Sequence, residues 1–179
     1  MRAVDAFIAE IEQEAEATQR LLERVPEDQL TWKPHEKSMT LGQLALHVAS
    51  ATGDVADMLE LDELDGGSVE FGNNPQPESK QQILSALDER LANARAKLDA
   101  LDDASAMKMW TLKVGNEVAF SIPRIALART LMLNHWYHHR GQLTVYLRLL
   151  DVPLPVTYGA TADENPFLDM IEAQASAAS

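Results

Sequence analysis

Asn134-His135-Trp136-Tyr137-His138-His139-Arg140-Gly141-Gln142 is the stretch on which the reading of the fold turns. On an α-helix, residues four apart point about 40° from each other and lie about 6 Å apart along the axis. His135 and His139 therefore share a face, and two imidazoles so placed can grip one metal ion. Ile125, Ala128, Met132, His135, His139, Gln142, Tyr146 and Leu150 recur at spacings of three and four, a single helical stripe with apolar ends. Two histidines on a core-facing stripe must find partners, because a buried imidazole without one costs free energy. A metal would satisfy both; hydrogen-bonded core histidines would also fit the spacing, and both readings stand. The zinc-protease helix motif needs Glu directly after the first histidine as general base, and Trp136 occupies that position, so this class is disfavoured.

Outward from this helix the chain reads as further amphipathic helices. Over residues 3–25, Phe7, Ile11, Thr18, Leu22 and Val25 fall near one face, and Pro26 ends the segment. Glu10, Glu12, Glu14, Glu16 and Glu23 are assigned to a solvated face. Trp32 in the connector is expected against the bundle end, and His35 on the surface. Thr40 with Gln43 makes a capping-box pattern for the second helix. There Leu44, His47, Ala51, Val55 and Met58 form a mostly apolar stripe, so His47 offers a third inward nitrogen, with a satisfied core histidine as its alternative. Residues 62–77 read as a loop. In a third helix opening near Glu78, Leu84, Leu87, Leu91, Ala94, Leu98 and Leu101 alternate threes and fours, which marks core or an interhelix seam.

Residues 102–120 form a second connector with a short hairpin about Gly115-Asn116. Ser121 is expected to cap the fourth helix and Pro123 to sit in its first turn. Gly141 inside that helix costs about 1 kcal/mol relative to alanine, which suggests another helix passing close by. Pro153 and Pro155 stop the helix. Gln142 is assigned a helix–helix hydrogen bond in preference to support of a ligand, and Arg140 and Tyr137 a structural role. The sum is an all-α protein: a four-helix bundle over residues 1–165, with a mobile tail over 166–179.

A chain of 179 residues can bury one full core. Fifteen basic residues against 28 acidic ones leave a net charge of −13, which repels phosphate backbones and anionic membranes. No Gly-rich phosphate loop and no membrane-spanning run is present. The absence of cysteine removes disulfides and thiolate ligands, makes a cytoplasmic address the default, and confines any metal to nitrogen and oxygen donors.

The run His135-Trp136-Tyr137-His138-His139-Arg140-Gly141-Gln142-Leu143 resembles the His-Arg-Gly-Gln signature of the DinB-like (DinB/YfiT-like) superfamily of metalloenzymes. Leu41-Gly42-Gln43-Leu44-Ala45-Leu46-His47-Val48 resembles its second-helix motif, and Trp32-Lys33-Pro34, Asp151-Val152-Pro153 and Tyr158–Glu164 match its habits. The resemblance implies an up-down-down-up bundle, commonly a homodimer, with zinc or nickel on His47, His135 and His139 and with His138 as a non-ligand. It implies thiol-dependent transferases and isomerases, so the first reading is an enzyme transferring a low-molecular-weight thiol to a small molecule; a metal-dependent hydrolase using bound water and a non-catalytic metal-binding bundle are the second and third readings. Three imidazoles leave one coordination position open, as catalytic sites require.

Overall fold

In the computed structural model, residues 2–68 and 74–177 are described; positions 69–73 of the expected loop and 178–179 of the expected tail lie outside them. Four long helical segments share one hydrophobic core: α1 (Asp5–Glu23), α2 (Leu41–Met58), α3 (Lys80–Asp99), and a run built of α5 (Arg124–Leu127), a π-helical segment (Ala128–Asn134) and α6 (His135–Leu149). A four-residue helix, α4 (Asp103–Ala106), follows α3, and Pro166–Ala177 forms α7, on which Phe167, Leu168, Met170 and Ile171 are exposed. Among the described residues no helix is long and apolar enough to cross a membrane.

The helix starts follow local chemistry. The capping box is present in full: Thr40 Oγ1 accepts from the Gln43 amide, and Gln43 Oε1 accepts from the Thr40 amide. Ser79 caps α3 through the Gln82 amide, so the helix opens at Lys80, two residues after the sequence places it. Of its leucine stripe, Leu87, Ala94 and Leu98 are buried with Ile83, while Leu84, Leu91 and Leu101 pack half-buried at its edge. Trp32 packs edge-on against Tyr146, with ring centroids 5.8 Å apart.

The all-α expectation needs correction, because a three-stranded sheet accompanies the helices. β2 (Met109–Val114) and β3 (Glu117–Pro123) form the hairpin, with Gly115 at φ 61° in a two-residue turn of type II′ sign. β1 (Glu63–Asp65) pairs parallel to β2, Glu63 opposite Thr111. Three residues are too few to carry a periodic signal, so this strand was invisible in the sequence. Trp110, 1% exposed, anchors the sheet in the core, and Arg124 Nη2 ties it down by donating to Leu61 O (3.1 Å) and Asp62 Oδ1 (2.7 Å).

The fourth helical run departs from its expected start. Ser121 stays in β3, with its hydroxyl 3.0 Å from that of Thr111, and Pro123 takes the N-cap position at φ −58° without a side-chain cap. The core side also differs from the predicted stripe. Its buried residues are Arg124, Leu127, Leu133 and the series Ala128, Met132, Trp136, Arg140, Leu143 and Leu147, and His135 and His139 lie beside them, half-buried. Three successive spacings of four would drift about 120° around an ideal α-helix. The underwound π segment absorbs part of that drift and keeps one face inward. The run ends in a Schellman motif: Asp151 sits at φ 56°, its amide donates to Arg148 O (3.1 Å), and the Val152 amide donates to Leu147 O (3.0 Å).

Pairings between helices place the site. α1 meets α3 through Glu12–Arg95, and Arg2, just before α1, reaches Asp99 at the end of α3, each at 2.7 Å. α2 meets α3 through Asp57–Arg90 (3.5 Å), with Glu60–Lys97 (2.5 Å) just beyond it. α2 meets α6 where Trp136 Nε1 donates to Val48 O (2.9 Å) and Tyr146 Oη to Met39 O (3.3 Å). The close approach expected at Gly141 is absent, for a Cβ there would find nothing within 4 Å. It occurs at Gly53, where a Cβ would lie 2.9 Å from Arg90 O.

Glu14 corrects the reading of the acidic run as wholly solvated. It is 8% exposed and holds Arg140, 2% exposed, through a 2.6 Å ion pair. Its partner is 126 positions away, beyond the reach of any local pattern.

Candidate metal centre

His47 on α2 and His135 and His139 on α6 converge. Each offers one ring nitrogen, and these atoms all lie within 4.8 Å of one another. The α2–α6 packing that seats Trp136 under Val48 brings His47 opposite the histidine pair, its ring 5.1 Å from that of His135 and 4.5 Å from that of His139. His135 and His139 face each other Nε2 to Nε2 at 2.8 Å. Metal–nitrogen bonds of about 2.0–2.1 Å at tetrahedral angles would separate two ligand nitrogens by about 3.3 Å, a difference that small ring rotations cover.

The protonation states suit a metal. Burial pushes all three rings below the usual histidine value. The neighbouring imidazole adds to it, His139 acting on His47, His47 on His135, and His135 on His139. Asp54 pulls His47 the other way, more weakly. Neutral rings carry the lone pairs a metal needs. Gln142 Oε1 lies 2.7 Å from His139 Nδ1, so the ring protonated at Nδ1 donates to it and turns its Nε2 lone pair inward, toward His135. The helix–helix bond that the sequence assigned to Gln142 is not what it makes; its partner is the ring one turn before it. His135 Nδ1 is buried with no hydrogen-bond partner, so this ring is held by packing and by its Nε2 contact alone. The donor set fits a transition metal: three neutral imidazoles, with no thiolate or carboxylate among them.

His138 is exposed and outside the cluster, though its ring is 5.0 Å from that of His139. His35 is an exposed loop residue whose Nδ1 accepts from the Lys37 amide at 3.1 Å. Tyr137 and Arg140 turn away from the cluster toward α1, where Tyr137 donates to Glu10 at 2.8 Å. Burial, then Glu10, keeps the Tyr137 phenol protonated. His47 also lines a cleft of about 320 Å³ between α2 and α3, with Ser50, Asp54, Glu89 and Arg90 on its walls. This cleft escaped the sequence reading, since its walls come from separate helices.

A helical protein bearing three convergent histidines on two helices has a cluster that could hold a metal ion. The chain belongs to the DinB family, whose sequence profile matches residues 1–166. It is 28% identical over 167 residues to the uncharacterized protein YrdA of Bacillus subtilis (strain 168), covering 91% of this chain and 92% of the relative. Among solved structures it resembles a DinB-like protein from Bacillus cereus ATCC 10987, with a TM-score of 0.67, 24% identity, and 86% and 97% of the two chains covered. A DinB-like protein of Bacillus subtilis, YjoA, shares the fold at a TM-score of 0.62 and 19% identity, covering 84% of this chain and 96% of that one.

Proposed function

We propose that the chain is a metal-dependent enzyme whose ion is held by His47, His135 and His139, with residues 1–165 as its working domain and 166–179 as an appended tail. The observation that carries this is the convergence of three half-buried, neutral imidazoles within 4.8 Å. A divalent ion bound there, zinc or nickel as the family resemblance implies, would supply Lewis acidity and lower the pKa of a thiol or water. The three histidines donate lone pairs, Gln142 orients His139, and the cleft beside His47 is of a size for a small-molecule substrate.

The preferred reaction is transfer of a low-molecular-weight thiol. The chain has no cysteine and so must borrow any sulfur nucleophile, and thiol chemistry is what the family resemblance implies. A hydrolase is the second reading, favoured by Asp54, a carboxylate within electrostatic reach of His47 that could take a proton from water. The helix pairs support an up-down-down-up course: partners ascend together between α2 and α3, and in opposite order between α1 and α3 and between α2 and α6. Half-buried Leu84 and Leu91 offer a seam for a homodimer, and a cysteine-free chain suits the cytoplasm.

Elemental analysis of untagged protein tests the metal. Cobalt substitution tests the chemistry: glutathione, bacillithiol or mycothiol should produce a near-ultraviolet charge-transfer band. No band, with metal-dependent hydrolysis persisting without thiol, selects the hydrolase. If neither activity is found, the protein is a non-catalytic metal-binding bundle.

A further inference from the structure

We infer that the buried Arg140–Glu14 pair is the positioning device of the histidine centre, fixing the rotation of α6 about its own axis so that His135 and His139 face His47. This rests on the metal reading above, although its second readout does not. Arg140 follows His139 directly and so points about 100° away around the helix. From there its guanidinium reaches α1, a helix that contributes no histidine. Nη2 donates to Glu14 Oε2 at 2.6 Å, and Nη1 to Thr18 Oγ1 at 3.0 Å and to Glu14 O at 3.3 Å. Nη2 also meets the Tyr158 hydroxyl, which itself donates to Glu14 Oε2 at 2.8 Å. The guanidinium carbon lies 5.0 Å from the Tyr158 ring centre, 5.2 Å from that of Tyr137 and 5.8 Å from that of Trp136.

Packing alone does not hold a rotation this closely. Apolar side chains of suitable volume tolerate repacking, whereas a planar fork bonded to three atoms on one facing helix accepts a single orientation. The need for such a device is visible in the chain itself. α6 is entered through a seven-residue π segment, whose underwinding changes the rotation at which the following helix leaves it. His135 Nδ1 makes no hydrogen bond that could hold its ring from the other side. The Arg140 clamp on the α1 side and the Trp136–Val48 bond on the α2 side pin α6 at consecutive turns.

Replacing one partner leaves the other charge buried and endangers the fold, so the informative variant removes both: Glu14→Met with Arg140→Met. Buried ion pairs replaced by apolar residues of similar size commonly keep stability, and Tyr158 is exposed enough for its hydroxyl to turn to water. The expected result is a thermal midpoint near that of the parent, a cobalt dissociation constant raised by about ten-fold or more, and a changed d–d spectrum. In metal-free protein, nuclear Overhauser contacts between the His47 ring and the rings of His135 and His139, now 5.1 Å and 4.5 Å from it, should weaken in the ring spectra. Arg140→Lys, which keeps the charge without the fork, should fall between. A folded double variant with parental cobalt affinity and parental ring spectra overturns the inference. If the parent binds no cobalt, the metal reading fails, and the ring spectra alone still decide the clamp.

Discussion

Two glycines on helices, Gly53 and Gly141, should respond to alanine with opposite signs. In a helix interior the exchange is worth about 1 kcal/mol in favour of alanine. At Gly141 a Cβ would meet nothing within 4 Å. The full gain should therefore appear, raising the melting temperature by about 2–4 °C for a chain of this size. At Gly53 the new methyl would lie 2.7 Å from Arg90 Cδ, 2.8 Å from Arg90 Cβ and 2.9 Å from Arg90 O. Cδ can swing aside, but Cβ and the carbonyl oxygen move only with α3, so the overlap belongs near the upper end of the 1–3 kcal/mol that overpacking costs. Set against the propensity gain, the net loss is about 2 kcal/mol, and the melting temperature should fall by about 4–8 °C. Urea unfolding of both variants beside the parent, with m-values checked for equality, measures the two numbers. A Gly53→Ala variant as stable as the parent would refute the α2–α3 approach. A Gly141→Ala variant less stable than the parent would mean that something covers this exposed position, a second copy of the chain being the first suspect.

His135→Ala should abolish stoichiometric metal while His138→Ala retains it; equal loss in both would remove the present ligand assignment. Gln142→Leu should keep the fold and weaken metal binding by about 10–100-fold, as loss of a bond behind a ligand does; unchanged affinity in a metal titration would leave Gln142 without a role at the centre. Asp163 accepts from Arg148 and from the Leu154 amide, bonds that hold its carboxyl below the ordinary aspartate value. Its contribution is therefore present above the unfolded-state pKa and lost as pH falls through the lower folded one. The stability difference between parent and Asp163→Asn should be visible at pH 7 and vanish in acid; a difference that grows on acidification contradicts the pairing.

Local chemistry made much of this protein legible. The capping box at Thr40, the leucine stripe of α3, the hairpin about Gly115 and the His135–His139 pair each depend on residues a few positions apart, where helical or strand geometry alone decides who meets whom. The third histidine was legible only as a candidate, because periodicity shows that His47 faces inward without showing what it faces. The tertiary structure decided that. Packing Trp136 against Val48 sets α2 opposite α6 and makes two separate stripes one cluster. It also decided that Glu14 is buried, since a carboxylate enters the core only when an arginine far along the chain arrives to pair with it. The π segment belongs to the same class: its underwinding serves the simultaneous demands of Met132, Trp136 and Arg140 on one side and the histidines on the other, and no residue within it announces that conflict. Periodicity is a property of neighbours along the chain, whereas burial of charge, helix rotation and the meeting of ligands depend on neighbours in space.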